Sequence, residues 1–130
     1  MRLFSSFLCC AVGAFSAVGF CAETIDVGRG EIPVVIPAGY DAEKPAPLVM
    51  LVHGYTSSGE GQESYMKFGE LADEYGFLLI APDGTVEKEG GKSRFWNAGN
   101  VCCNFQGSDV DDSAYLRKLI DAMKEQYSVN

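Results

Sequence analysis

The chain has 130 residues, 47% of them hydrophobic and 22% charged, the composition of an ordinary globular protein and neither a disordered nor a fibrous one. Ten basic residues stand against 18 acidic ones, a net charge of −8, and the acids are scattered. This balance argues against a nucleic-acid partner, whose footprint is clustered Lys and Arg.

Residues 1–22 have the pattern of a secretory signal. Arg2 supplies the positive start, Leu3 to Phe20 is uncharged and interrupted only by three serines among apolar and small residues, and the first acid is Glu23. A stable membrane anchor needs roughly 20 apolar residues with flanking anchors, so the expectation is an exported protein, extracellular or periplasmic. A cut after Ala22 puts bulky Phe20 two residues upstream, whereas a cut after Gly19 puts small Ala17 there. Phe20 also disfavours a lipoprotein cut before Cys21. Removing the leader leaves 108 residues, enough for one small domain and too few for two.

After the leader, strand and helix signals alternate without repeat or linker, which predicts one α/β unit. Ile32 to Ile36 reads as a strand closed by Pro37 and Gly39. Leu48 to Val52 is a continuous apolar run, the pattern of a strand covered on both faces in a parallel sheet, and the loop His53 to Gly61 follows it directly. From Gln62 to Tyr75 the residues Tyr65, Phe68, Leu71, Ala72 and Tyr75 recur at helical spacing, with Gly76 as a stop. Phe77 to Ala81 is a second buried strand, so Leu48 to Ala81 is predicted as a right-handed parallel crossover.

Thr85 to Gly107 is polar and glycine-interrupted, and is predicted as a long surface loop of the kind that carries function. At Ser108 the capping-box pattern Ser108-x-x-Asp111 predicts the start of a helix whose stripe is Tyr115, Leu119, Met123 and Tyr127.

The segment His53-Gly54-Tyr55-Thr56-Ser57-Ser58-Gly59 lies just past the C-terminal end of a buried strand, where open α/β sheets place ligands. A glycine-containing turn there can aim backbone N–H groups at a developing oxyanion; the plainer reading is a tight turn. His53 is the sole histidine, and its place before the turn suits fixing loop geometry better than acting as general base. No serine has glycines two residues away on both sides, so no nucleophile elbow is present.

Other motifs carry less. Gly91-Lys92-Ser93 imitates the end of a phosphate-binding loop, but Val86 occupies the required glycine position. Asp109, Asp111 and Asp112 are better read as first-turn carboxylates on a helix than as metal ligands. Trp96, with Phe95 and Asn97, either stacks on a substrate or pins its loop to the body. Cys102 and Cys103 are the only cysteines beyond the leader, too few for a disulfide scaffold. Adjacent cysteines pair with strain, so distant partners are expected for them, and none exists in the exported chain.

The order LVMLVHGYTSSG, GFLLIAPDGT, FWNAGNVCCNF and DVDDSAYLRKLIDAMKEQYSVN resembles the secreted polyhydroxybutyrate depolymerases and related feruloyl and acetylxylan esterases, over about Ile32 to Asn130. The resemblance implies an α/β-hydrolase fold, a parallel three-layer sandwich here truncated before its elbow, with residues 23–130 the N-terminal portion. It implies serine acyl-enzyme chemistry on polyester or plant-polymer esters, without cofactor or metal. The family's G-x-S-x-G elbow follows the helix matching Asp111 to Tyr127, and Asn130 stands where the family commonly has aspartate. What carries over is the oxyanion loop, His53, Gly54 and Tyr55, and the substrate-side loop at Trp96 and Asn97; nucleophile, acid and base match no residue present. The competing reading is a non-catalytic secreted protein whose loops Gly54 to Gly61 and Trp96 to Phe105 hold a carbohydrate or ester.

Overall fold

The structure is a computed structural model that describes residues 23–88, 91, 93–99 and 102–130. The secretory signal expected over residues 1–22 lies outside the described residues. Among the described residues no helix is long and apolar enough to cross a membrane.

Phe77 to Ala81 forms the centre. β4 (Leu78–Ile80) is paired on both sides, parallel to β3 (Leu48–Met50) and antiparallel to β2 (Ile32–Val35), and β1 (Thr24–Ile25) adds antiparallel to β2. The sheet order is β1-β2-β4-β3. The expected parallel crossover therefore forms, but the sheet as a whole is mixed, because β2 reaches β4 through a connection that reverses direction.

Alternation along β4 divides the core. Leu78 and Ile80 face a cluster with Ile25, Ile32 and Val34 and with Tyr115, Leu119 and Met123 of α3 (Asp112–Gln126). Leu79 faces the other side, with Leu51, Ala72 and Phe77. Helical layers thus cover both faces of the small sheet. The four-residue stripe predicted for the last helix is buried as a line, down to Tyr127.

The helix expected over Gln62 to Tyr75 is three pieces: α1 (Gly59–Met66), a 3-10 turn at Phe68–Leu71, and α2 (Ala72–Tyr75). Lys67 breaks it, taking the left-handed conformation at φ 56° and donating its N–H to the Glu63 carbonyl. The Glu63 side chain then accepts the Gly69 N–H at 2.7 Å across the break. The phase shift turns Tyr65 and Tyr75 outward, 84% and 65% exposed, and leaves Ala72 as the stripe's buried member. Gly76 ends α2 at φ 67°, as a C-terminal stop requires.

α3 begins four residues after Ser108. Its N-cap is Asp111, whose carboxylate accepts the Ala114 N–H at 2.8 Å. Ser108 is held instead by Asn104, which accepts its N–H and donates to its carbonyl, both at 2.7 Å. The predicted long loop contains a short hairpin, β5 (Thr85–Val86) with β6 (Arg94–Phe95). Past α3 the chain turns extended, and Val129 bridges Ala46 in parallel beside β3. Leu48 to Met50 on that outer edge stay half-buried, unlike fully covered β4.

Candidate functional site

The site grows from the end of β3. Leu51 still donates its N–H to Ile80, at 2.9 Å, and the chain then turns at His53, which is 3% exposed. Its ring has two fixed partners: Nδ1 lies 2.7 Å from the Gly54 carbonyl, and Nε2 accepts the Gly84 N–H at 2.9 Å. An acceptor nitrogen carries no proton, so this pair of bonds sets the Nδ1–H tautomer. The geometry places His53 as a clamp between the β3 and β4 loops, with no ring nitrogen free for a serine hydroxyl.

Gly84 is required here. A Cβ on it would meet the Phe95 carbonyl oxygen at 2.4 Å, so only glycine lets β4 and β6 come this close. Trp96 completes the clamp. Its indole N–H donates to the His53 carbonyl at 3.0 Å, its ring lies 5.2 Å from the imidazole, and Tyr115 stacks near its other side at 6.4 Å.

The turn that follows is closed by the Ser57 N–H on the Gly54 carbonyl at 3.2 Å. Thr56, at φ 68°, donates its N–H to the Arg94 carbonyl at 2.9 Å, fastening the turn to β6. Tyr55 donates its hydroxyl to Glu87 at 2.7 Å; that bond, ahead of slight desolvation, raises the phenol above its ordinary range. The backbone N–H groups of Gly54 and Tyr55 have no acceptor among the described residues. Two such donors in a turn fixed at both ends can stabilise negative charge on an oxygen.

Asp83 supports the turn from below. One oxygen accepts the Gly59 N–H at 2.8 Å, at the start of α1, and the other pairs with Arg94 at 2.9 Å. Gly59 itself sits where a Cβ would meet the Ala81 carbonyl oxygen at 1.8 Å.

Trp96 and Tyr55 lie at the same end of the sheet, joined through His53 and β6. Asn97 is occupied within its loop: its N–H donates to Asp112 at 2.5 Å, its side chain donates to Val110 at 2.8 Å, and its carbonyl oxygen accepts from Asn104 at 3.1 Å. Asp112, read from sequence only as a first-turn carboxylate, is a buried hub. It binds Arg29 at 2.6 Å and accepts the Thr85 hydroxyl at 2.9 Å, with Arg29 in turn 3.8 Å above the Tyr115 ring. Among the described residues no group of His, Cys, Asp and Glu is placed to hold a metal ion. Cys102 and Cys103, expected to seek distant partners, are joined to each other.

Sequence reasoning missed Asp83, Glu87, Arg94 and the reach of Asp112. Asp83 had a usable signal, the Pro-Asp-Gly turn directly after a buried strand; the others are set by tertiary contacts alone.

No protein-family model matches the chain. No curated protein is significantly similar to it.

Proposed function

We propose that the chain is the oxyanion-side portion of a secreted carboxylic ester hydrolase of α/β-hydrolase type, acting on polyester or plant-polymer esters by serine acyl-enzyme chemistry. The observation that carries this reading is a turn at the C-terminal end of β3 whose Gly54 and Tyr55 N–H groups have no acceptor among the described residues. His53 and Trp96 hold the turn, and neither touches the reacting atoms. Two further observations support it: helical layers on both faces of the sheet, and Ser128 to Asn130 running beside Ala46 next to β3, where the resemblance puts the strand leading to the elbow. The serine, acid and base of the reaction are not among the 130 residues. In this reading Trp96 and Asn97 position the substrate-side loop.

Butyrate tests it, because its carboxylate oxygen carries the charge that develops during acyl transfer. Titrated into the full chain and followed by amide NMR, it is expected to shift the Gly54 and Tyr55 resonances saturably. No shift at either amide overturns the reading and favours the sugar-binding alternative.

A further inference from the structure

The two faces of β2 are covered unequally. Ile32 and Val34 are buried in the cluster that contains α3, whereas on the opposite face Pro33 is exposed and Val35 half-buried. Val35 is paired with Leu79 of β4, and with Pro33 and Ala81 these residues floor a groove of about 380 Å³ beside α1 and its break at Lys67, within the size range of small-ligand sites. Glu63 stands in its wall. A surface helix turns its carboxylates to water, but the reach across the break to the Gly69 N–H, at 2.7 Å, draws this one inward. One point beside Gly69 lies 2.9 Å from Glu63 Oε1 and 3.8 Å from a Val35 methyl, so the carboxylate stands against the apolar floor. Its second oxygen, Oε2, is enclosed and has no donor among the described residues. Lys67, the groove's own cation, pairs with Glu70 at 3.4 Å.

We propose that this groove binds a linear primary alkylammonium, its ammonium donating to Glu63 Oε2 and its chain lying on Pro33, Val35, Leu79 and Ala81. The inference stands apart from the ester-hydrolase reading, since no residue from Gly54 to Ser57 lines the groove. Charge and floor together select the ligand. An anion would meet Glu60 and Glu63 on the same wall. A neutral alcohol offers one O–H but leaves the carboxylate's charge without a counter-charge beside apolar side chains. A metal ion needs several ligand atoms, and among the described residues no group of His, Cys, Asp and Glu is placed to hold one. An ammonium answers the charge with a charge-assisted hydrogen bond, and an aliphatic tail covers the apolar floor. The chain's net charge of −8 adds a long-range attraction for cations.

The test titrates the full chain with hexylamine, methylamine, hexan-1-ol and magnesium chloride at neutral pH and constant ionic strength, following the Val35, Glu63 and Gly69 amides by NMR. Hexylamine is expected to bind saturably, about tenfold or more tighter than methylamine or hexanol, because only it satisfies both carboxylate and floor. Glu63→Gln keeps an oxygen for the Gly69 N–H and removes the charge, and should bring hexylamine down to the affinity of hexanol. No saturable shift with hexylamine, or equal affinity for hexanol, overturns the proposal. Methylamine or magnesium binding as tightly as hexylamine overturns it too, since the acids would then only gather counter-ions. So does a preference for hexylamine that survives Glu63→Gln. The comparisons among ligands use the unaltered chain, so they decide the matter whether or not the variant folds.

Discussion

The indole N–H of Trp96 donates to the main-chain carbonyl of His53 at 3.0 Å, while the His53 ring reaches the opposite way to take the Gly84 N–H at 2.9 Å. One residue is thus gripped by its backbone from the β6 side and grips β4's loop with its side chain. Trp96→Phe keeps the ring contacts and removes one hydrogen bond to a half-buried carbonyl, so stability should fall by about 1 kcal/mol. His53→Phe leaves the Gly84 N–H without its acceptor and should cost more, about 1–3 kcal/mol. Urea unfolding of the two variants checks the order; a smaller loss for His53→Phe than for Trp96→Phe contradicts the clamp.

Asp112→Asn should be among the most damaging single changes. It weakens the partner of Arg29 at a site where the carboxylate is almost fully enclosed and Arg29 is one-fifth exposed. Breaking such a pair from one side costs about 3 kcal/mol or more. Chemical denaturation measures it, and a loss under 1 kcal/mol would show that Arg29 finds other partners.

Gly59→Ala drives a methyl into the Ala81 carbonyl. Overpacking of this kind costs about 1–3 kcal/mol, and here it also lifts the first turn of α1 from Asp83. The measurable outcome is a lower melting temperature together with displaced Tyr55 and Ser57 amide resonances. An unchanged spectrum would mean that α1 does not position the turn.

Alkali should unfold the protein through Tyr127. Burial first, and then the hydrogen bond its hydroxyl donates to Glu23, raises this phenol well above its ordinary 10.0. A raised folded value favours the protonated form in the folded state, so the contribution is complete below pH 10.0 and is lost as pH climbs from there toward the folded value. Stability measured against pH should be flat on the neutral side and fall above that point. Tyr127→Phe should flatten the alkaline limb; an unchanged limb would assign it to other groups.

The chain alone should not hydrolyse a simple aryl ester above background. It has one histidine with both ring nitrogens engaged, and no G-x-S-x-G. Turnover that disappears in Ser57→Ala or His53→Ala would refute this.

What the sequence made legible is what local pattern and burial decide together. The unbroken run from Phe77 to Ala81 could only be a covered strand, and the spacing Tyr115, Leu119, Met123, Tyr127 could only bury as a helix face. Lys67 carries no left-handed signal of its own; the break there follows from Glu63 reaching Gly69, a tertiary demand written in neither residue alone. The hairpin was hidden for a related reason. Two residues per strand leave no period to read, and Arg94 is placed by Asp83 and by Thr56 from elsewhere in the chain. The turn at His53 was visible as a position at a strand end, but the partners of its imidazole were not.

β4 is the strand paired on both sides and covered on both faces, which gives the molecule a gradient of opening. Amide protons of Leu79 and Ile80 should exchange with solvent only when the whole protein unfolds, while those of the two-residue strands β5 and β6 can exchange by opening locally. The turn from Gly54 to Ser57 hangs between the two, its start following on from β3, β4's parallel partner, and its Thr56 on the hairpin. The free energy of opening that hairpin therefore sets how long the Gly54 and Tyr55 N–H groups hold their aim, and a ligand seated across both would slow exchange in β5 and β6 before it slowed exchange in β4.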